Sequence, residues 1–369
     1  MEELNILYKI SENPAEYLRK SKDEKILGYF CSYTPEEIVL AADVHPARLF
    51  GTREDISLAD AHLQSYSCSL VRGAMEDVLR GNIDFIDGAI FPHTCDSIQR
   101  LSDLWRINTN FPFFADVVLP VKMDRKSSQQ YMVDVLNKFK GALETWLERK
   151  ITEDDLKKSI DTYNGIRTLL GKLYKIRSNK PNVISDRDLF DIVRASMVMK
   201  RRDLLKMLSK ILKAAQEKDG ATRVENKKRL ILTGSICNHP DIFGIIEDAG
   251  GTVVGDDLCT GARYLEGIID MDVEPIEAIA KRYMERTICP AKHLSLTARA
   301  DHIISLVRET RADGVIFLFL KFCDPHNFDY PFIEEALDRE DIANTLIEIE
   351  AQLPEGQIRT RLETFMDTL

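Results

Sequence analysis

No stretch of this 369-residue chain approaches the ~18 consecutive apolar residues that a membrane helix requires. The opening segment, MEELNILYKISENPAEYLRK, mixes acidic and basic residues and has no apolar run after a basic start, so it does not read as a signal peptide. A cytoplasmic location with no membrane partner is therefore expected. Positive charge is in deficit. The formal net charge is −10, which argues against a nucleic-acid partner, because phosphate binding needs a basic footprint. A local basic groove for a phosphorylated cofactor, such as a coenzyme A thioester, is compatible with that balance. Three motifs are missing as well. There is no Cys-x-x-Cys pair, no H-E-x-x-H and no G-x-x-x-x-G-K-[ST] loop, so no zinc finger, ferredoxin-type run, zincin or standard ATP-binding loop is announced. The chain shows no strong internal repeat and no low-complexity tract.

What the chain does have is alternation. KILGYF, ARLFG, DGAIFP and FFADVVLPVK read as strands, separated by helical stretches such as EEIVLAA and LVRGAMEDVLRG. Thr34 is the expected N-cap of the first of these helices, with Pro35 at its first position. Residues from about 127 to 228 read instead as long helices, one of them running continuously from Asp186 to Lys218. Thr152 and Asp155 mark a cap between two of them. The charged stretch EKDGATRVENKK resembles a linker. From Arg229 the α/β alternation resumes, with RLILTGS, TVVGDD, DGVIFLFLKFC and TLIEIE as strands and a helix opening at Pro240. The expectation is α/β: two doubly wound Rossmann-like parallel-sheet domains, 1–126 and 229–369, with a helical segment, 127–228, between them.

The chain carries seven cysteines: Cys31, Cys68, Cys95, Cys237, Cys259, Cys289 and Cys323. An odd count, wide spacing and no secretion signal speak against a disulfide framework. Buried, inert thiols are the plain alternative. However, Cys31, Cys95, Cys237, Cys259 and Cys323 fall at or just after expected strand ends, where ligands gather in open α/β sheets. Cys68 sits near a helix start, where backbone N–H groups favour a thiolate. Cys289 precedes Pro290 in a turn. Loop thiols converging on one crevice are what an iron–sulfur cluster needs.

Local words carry a resemblance. GYFCSYTPEEIVLAADVHPARLFG, SYSCSLVRGAMEDVL, DGAIFPHTCDSIQRLSDLW, GDDLCTGARY, LKFCDPHNFDYPFIEEAL and the closing GQIRTRLETFMDTL are similar, in order and over nearly the whole chain, to the D-component family of 2-hydroxyacyl-CoA dehydratases and benzoyl-CoA reductases. The resemblance implies a 4Fe–4S cluster on three cysteines, matched here by Cys68, Cys95 and Cys323. It also implies an acyl-CoA substrate and a related second subunit. A separate ATP-hydrolysing iron–sulfur activator would supply electrons of very low potential, either for dehydration through a ketyl radical or for ring reduction. Cys31, Cys259 and Cys289 match the further pattern of members with a double-cubane 8Fe–9S cluster, which act as homodimeric reductases of small molecules. A third reading is a non-catalytic member that kept the fold and lost the cluster. Two departures leave substrate choice open: Ala41-Ala42-Asp43, where a glycine commonly follows the alanines, and Glu348-Ile349-Glu350, where an aspartate is expected to close the word.

Among other polar residues, Glu36 and Glu37 read first as helix N-terminal charges, with Glu36 also a candidate proton donor. His93 and His326 lie close in sequence to proposed ligands and are candidates for proton transfer or for a hydrogen bond to cluster sulfur; a structural loop histidine is the alternative. Arg263 is a candidate for holding a thioester or phosphate, against a plain ion pair. The run Lys200, Arg201, Arg202 is a candidate for meeting coenzyme A phosphates, with a solvated charge run the stronger reading. Cys237 reads as structural.

Overall fold

The computed structural model describes residues 2–21, 24–220, 227–239, 241–286, 289–295, 297–352 and 354–369. These residues form two four-stranded parallel sheets with helices around them. The first sheet comprises β1 (Ile26–Tyr29), β2 (His45–Arg48), β3 (Gly88–Pro92) and β4 (Phe113–Val117), in spatial order β2-β1-β3-β4. The second comprises β5 (Lys228–Gly234), β6 (Gly251–Asp257), β7 (Gly314–Leu320) and β8 (Asn344–Ile349), in order β6-β5-β7-β8. Both sheets run first to one side and then cross to the other, which opens a crevice at the carboxyl ends of β1 and β3, and of β5 and β7. The all-apolar β7, GVIFLFL, is buried at every position, as a central parallel strand covered on both faces must be. At the end of β5, Gly234 (φ 152°) lies so close to β7 that a Cβ would collide with the Leu318 carbonyl oxygen, so only glycine fits.

Several local expectations shift. The helix Glu36–Ala41 is capped by Pro35 rather than Thr34, and the Thr34 hydroxyl makes no cap bond. The second strand begins at His45, two residues earlier than its apolar core suggests. The expected long helix is two, Asp186–Ser196 and Arg201–Gln216. The break has a physical use. The Met197 carbonyl, released from the helical ladder, accepts from the Arg48 backbone N–H (3.0 Å), and the Val198 carbonyl bonds the His45 ring (2.7 Å), tying the break to β2. The helices Asp96–Asn108 and Pro275–Glu285 are additional to those expected. The second has a clear signal, Glu274 capping Glu277 with Pro275 in the first turn. Thr152 and Asp155 do form a capping box. Pro240 and most of the linker-like stretch lie outside the described residues; the helix after β5 begins at Asp241.

A buried charge network joins these parts. The Glu36 carboxylate accepts from Arg201 (2.7 Å), Tyr29 (2.8 Å) and Tyr163 (3.3 Å), while Glu37 pairs with Arg167 and, at 3.8 Å, with Arg282. Burial raises the carboxyl pKa of Glu37, but the two guanidiniums outweigh it and hold the group below the usual range. Thus Arg201, in the middle of a run that reads as solvated, is buried, whereas Arg202 is exposed and Lys200 pairs with Glu24 (2.7 Å).

Arg201→Ala leaves Glu36 buried without its cation. It should cost about 3–5 kcal/mol in urea unfolding, against less than about 0.5 kcal/mol for Arg202→Ala. Equal effects would mean that the network does not hold the fold.

Candidate functional site

The carboxyl ends of the two sheets face each other. Arg48, the last residue of β2, donates from Nη2 to the Phe30 carbonyl after β1 (3.1 Å) and from Nη1 to the Cys259 carbonyl after β6 (3.0 Å). Cys31 follows β1 and Cys259 follows β6. Cys95, Cys68 and Cys323 are the N-cap residues of the helices Asp96–Asn108, Ser69–Leu79 and Asp324–Arg339. Free backbone N–H groups at a helix start favour a thiolate there. The turn that presents Cys323 places Phe322 in the left-handed region (φ 64°).

Electrostatic influence on Cys95, Cys323 and Cys289 comes from other cysteines. Burial pushes Cys95 up to about 12, and negative charge on Cys68 and Cys31 adds to the rise. Burial also raises Cys323 well above its ordinary value, with Cys68, Cys95 and Cys259 contributing in the same direction. Cys289 is pushed up to about 11 by burial, then by Cys259 and Cys31. By these influences Cys95 and Cys323 group with Cys68, and Cys289 with Cys31 and Cys259, while Cys31 also acts on Cys95 and Cys259 on Cys323. Cys237 stands apart. It is fully buried, its thiol faces the His239 carbonyl (3.4 Å), and its electrostatic neighbours are Arg194, Asp256 and Arg187. Among the described residues no three His, Cys, Asp or Glu side chains close on a single ion.

The chamber also holds buried cations that lack carboxylates. Lys292 is 2% exposed and, among the described residues, donates to the His93 and Leu119 carbonyls, both at 3.4 Å. Burial lowers its pKa; charge on Cys289, Cys31 and Cys95 opposes the fall. Arg286, 6% exposed, donates from Nη2 to the Ser32 hydroxyl (3.1 Å) and lies over the Tyr33 ring, while Nε and Nη1 have no partner among the described residues. Isolated buried cations are costly, so an anionic group on the neighbouring thiolates would compensate both. A thiolate-bound iron–sulfur cluster is such a group, and the residues present fit it.

A family model described as 2-hydroxyglutaryl-CoA dehydratase, D-component, matches residues 31–369. The chain belongs to this family. It is 27% identical to the (R)-phenyllactyl-CoA dehydratase beta subunit of Clostridium sporogenes, over 98% of this chain and 96% of that one. It is 28% identical to one of the benzoyl-CoA reductase subunits of Thauera aromatica, over 94% and 91%. It is 26% identical to the beta subunit of (R)-2-hydroxyglutaryl-CoA dehydratase from Acidaminococcus fermentans, over 98% and 97%. Dehydratase and reductase subunits are thus the company expected from the sequence words. No helix among the described residues is long and apolar enough to cross a membrane.

Within this D-component-type chain the remaining candidates take distinct places. Glu36 is committed to Arg201 and its tyrosines, behind Cys31. The His93 ring is turned to Asp116 (2.9 Å), which also accepts from Ser102 (2.5 Å) and Arg106, so its carbonyl rather than its ring faces Lys292. His326 is buried, with Nδ1 3.2 Å from Cys323 Sγ; burial, then Arg263 and Arg299, holds its pKa well below the ordinary value, so the ring is neutral. Arg263 forms a buried bidentate pair with Asp257 (2.6 and 2.7 Å). Arg286, Lys292 and Asp257 are not singled out by the sequence, although the two cations bracket Cys289 three residues to either side.

In the metal-free protein, a Cys95 thiol near 12 against an ordinary cysteine near ~8.5 predicts alkylation by iodoacetamide at pH 8 about a thousandfold slower than for a free thiol. Peptide mass spectrometry of timed samples measures this. A rate like that of free cysteine would show the chamber to be open to solvent.

Proposed function

We propose that the six converging thiolates hold a double-cubane 8Fe–9S centre, and that the chain is a reductive enzyme working with electrons of very low potential. What supports this reading is that Arg48 ties the loop of Cys31 to Cys259, and Arg263 and His326 link Cys259 to Cys323, with Cys68, Cys95 and Cys289 grouped to them electrostatically. When bound, such a centre supplies single electrons at a potential set by net charge, burial and hydrogen bonds to its sulfurs. The protein's own residues do the rest. Lys292 and Arg286 neutralise the thiolates of one triad, the helix starts at Cys68, Cys95 and Cys323 favour ionisation in the other, and burial excludes water. In this reading the chain is cytoplasmic and pairs with itself. A separate iron–sulfur activator consumes the ATP.

A second reading has its own support. The thiols that match the family's three ligand positions are the same three that cap helices, so a single 4Fe–4S cluster on Cys68, Cys95 and Cys323 is also a coherent unit. The names of the relatives then point to an acyl-CoA substrate, either a 2-hydroxyacyl-CoA to be dehydrated or a benzoyl-CoA-type ring to be reduced, and to a related second subunit. Convergence of all six thiols speaks against a member that has lost its cluster.

Purification without oxygen, followed by iron and sulfide analysis and an EPR spectrum after reduction, tests these readings. About eight irons per chain is expected, falling to about four or fewer in Cys289→Ala and to none in Cys95→Ala. About four irons in the unaltered protein, unchanged in Cys289→Ala, would establish the single cluster instead. No iron in protein never exposed to air would remove both.

A further inference from the structure

Asp257 ends β6 with a side chain that is only 1% exposed. Its carboxylate accepts from the Thr233 hydroxyl (2.9 Å), from Nε and Nη2 of Arg263 and from Nη2 of Arg299 (3.2 Å). A guanidinium is planar, so fixing Nε and Nη2 on one carboxylate aims the remaining Nη1 in a set direction. That nitrogen lies 3.4 Å from Cys259 Sγ and 3.3 Å from His326 Nε2. Arginine can only donate. His326 Nε2 therefore accepts, and a ring that accepts on Nε2 carries its one proton on Nδ1. Nδ1 faces Cys323 Sγ at 3.2 Å, so the ring donates toward that sulfur. The Gly234 carbonyl is a second acceptor beside the ring and competes with Cys323 Sγ for its single N–H. Position is secured twice: His326 lies in the first turn of the helix that Cys323 caps, and its ring packs 5.2 Å from that of Phe319.

We infer that Asp257, Arg263 and His326 form a directional relay that puts one N–H donor on each cysteine triad, Arg263 on Cys259 and His326 on Cys323, and thereby sets the reduction potential of the centre. The inference rests on the iron–sulfur reading above. Its physical basis is that a donor on a thiolate sulfur withdraws electron density from the iron and favours the reduced state. Both donors hang on one guanidinium. Arg263 therefore links the halves of the site, whereas His326 acts on the Cys323 half through its own N–H.

These are positioning residues, and their test reads potential rather than turnover. Midpoint potentials of the anaerobic iron-loaded protein are measured by EPR-monitored redox titration for wild type, His326→Phe and His326→Asn, with iron counted in each. His326→Phe should lower the potential. His326→Asn, whose amide N–H occupies the place of Nδ1, should restore it with full iron. An unchanged potential in His326→Phe at full iron, or loss of iron in both variants, overturns the relay and leaves His326 as packing. A second measurement does not depend on iron. In the metal-free protein, ¹⁵N spectra of labelled histidine should show His326 protonated on Nδ1, and protonation on Nε2 overturns the relay. Wild-type protein without iron but with the Nδ1 tautomer would refute the iron–sulfur reading, and with it the assigned role in potential, while leaving the hydrogen-bond geometry intact.

Discussion

Arg48 holds the two sheets end to end. One guanidinium nitrogen binds the carbonyl after β1 and the other the carbonyl after β6, so the loops that leave both sheets are pinned to a common chamber. Parallel strands present all their carboxyl ends on one edge, and ligands gather there. Two such edges turned toward each other bring together loops from segments more than two hundred residues apart, as Arg48 shows between Phe30 and Cys259.

Charge balance follows from the same arrangement. Behind Cys31 the buried acids Glu36 and Glu37 are matched by arginines and tyrosines, and Asp257 behind Cys259 is matched by Arg263 and Arg299. Lys292 and Arg286 are not matched by any carboxylate among the described residues, and both adjoin the thiols. A protein interior tolerates such an imbalance where an anion completes it. Arg48 and Arg194 are likewise buried without an ion pair to a carboxylate among the described residues, but their guanidiniums are occupied by carbonyl and amide oxygens.

The strands and most helices were legible because their cues are local. The apolar run of β7, the capping box at Thr152 and Asp155 and the glycine after the helix Ser69–Leu79 each act within a few residues. The continuous helix expected through Met197–Lys200 failed because its interruption is stabilised by β2, about 150 residues away in the chain, through bonds to Arg48 and His45. Arg201 misled for a similar reason. Its neighbours in sequence are exposed or surface-paired, while its partner Glu36 lies 165 residues earlier.

By itself the sequence determined the α/β class, the placement of the cysteines at strand ends and helix starts, and the words that mark the family. These depend on residue type and short spacing. Only the tertiary structure decided that Cys259 is tied to the loop of Cys31 and lies near Cys323 while Cys237 is buried apart, that Glu36 and the His93 ring are spent on Arg201 and Asp116, and that His326 and Arg263 face sulfur. Those outcomes turn on which loops of two separate sheets are brought face to face, a long-range register that is not encoded by local spacing.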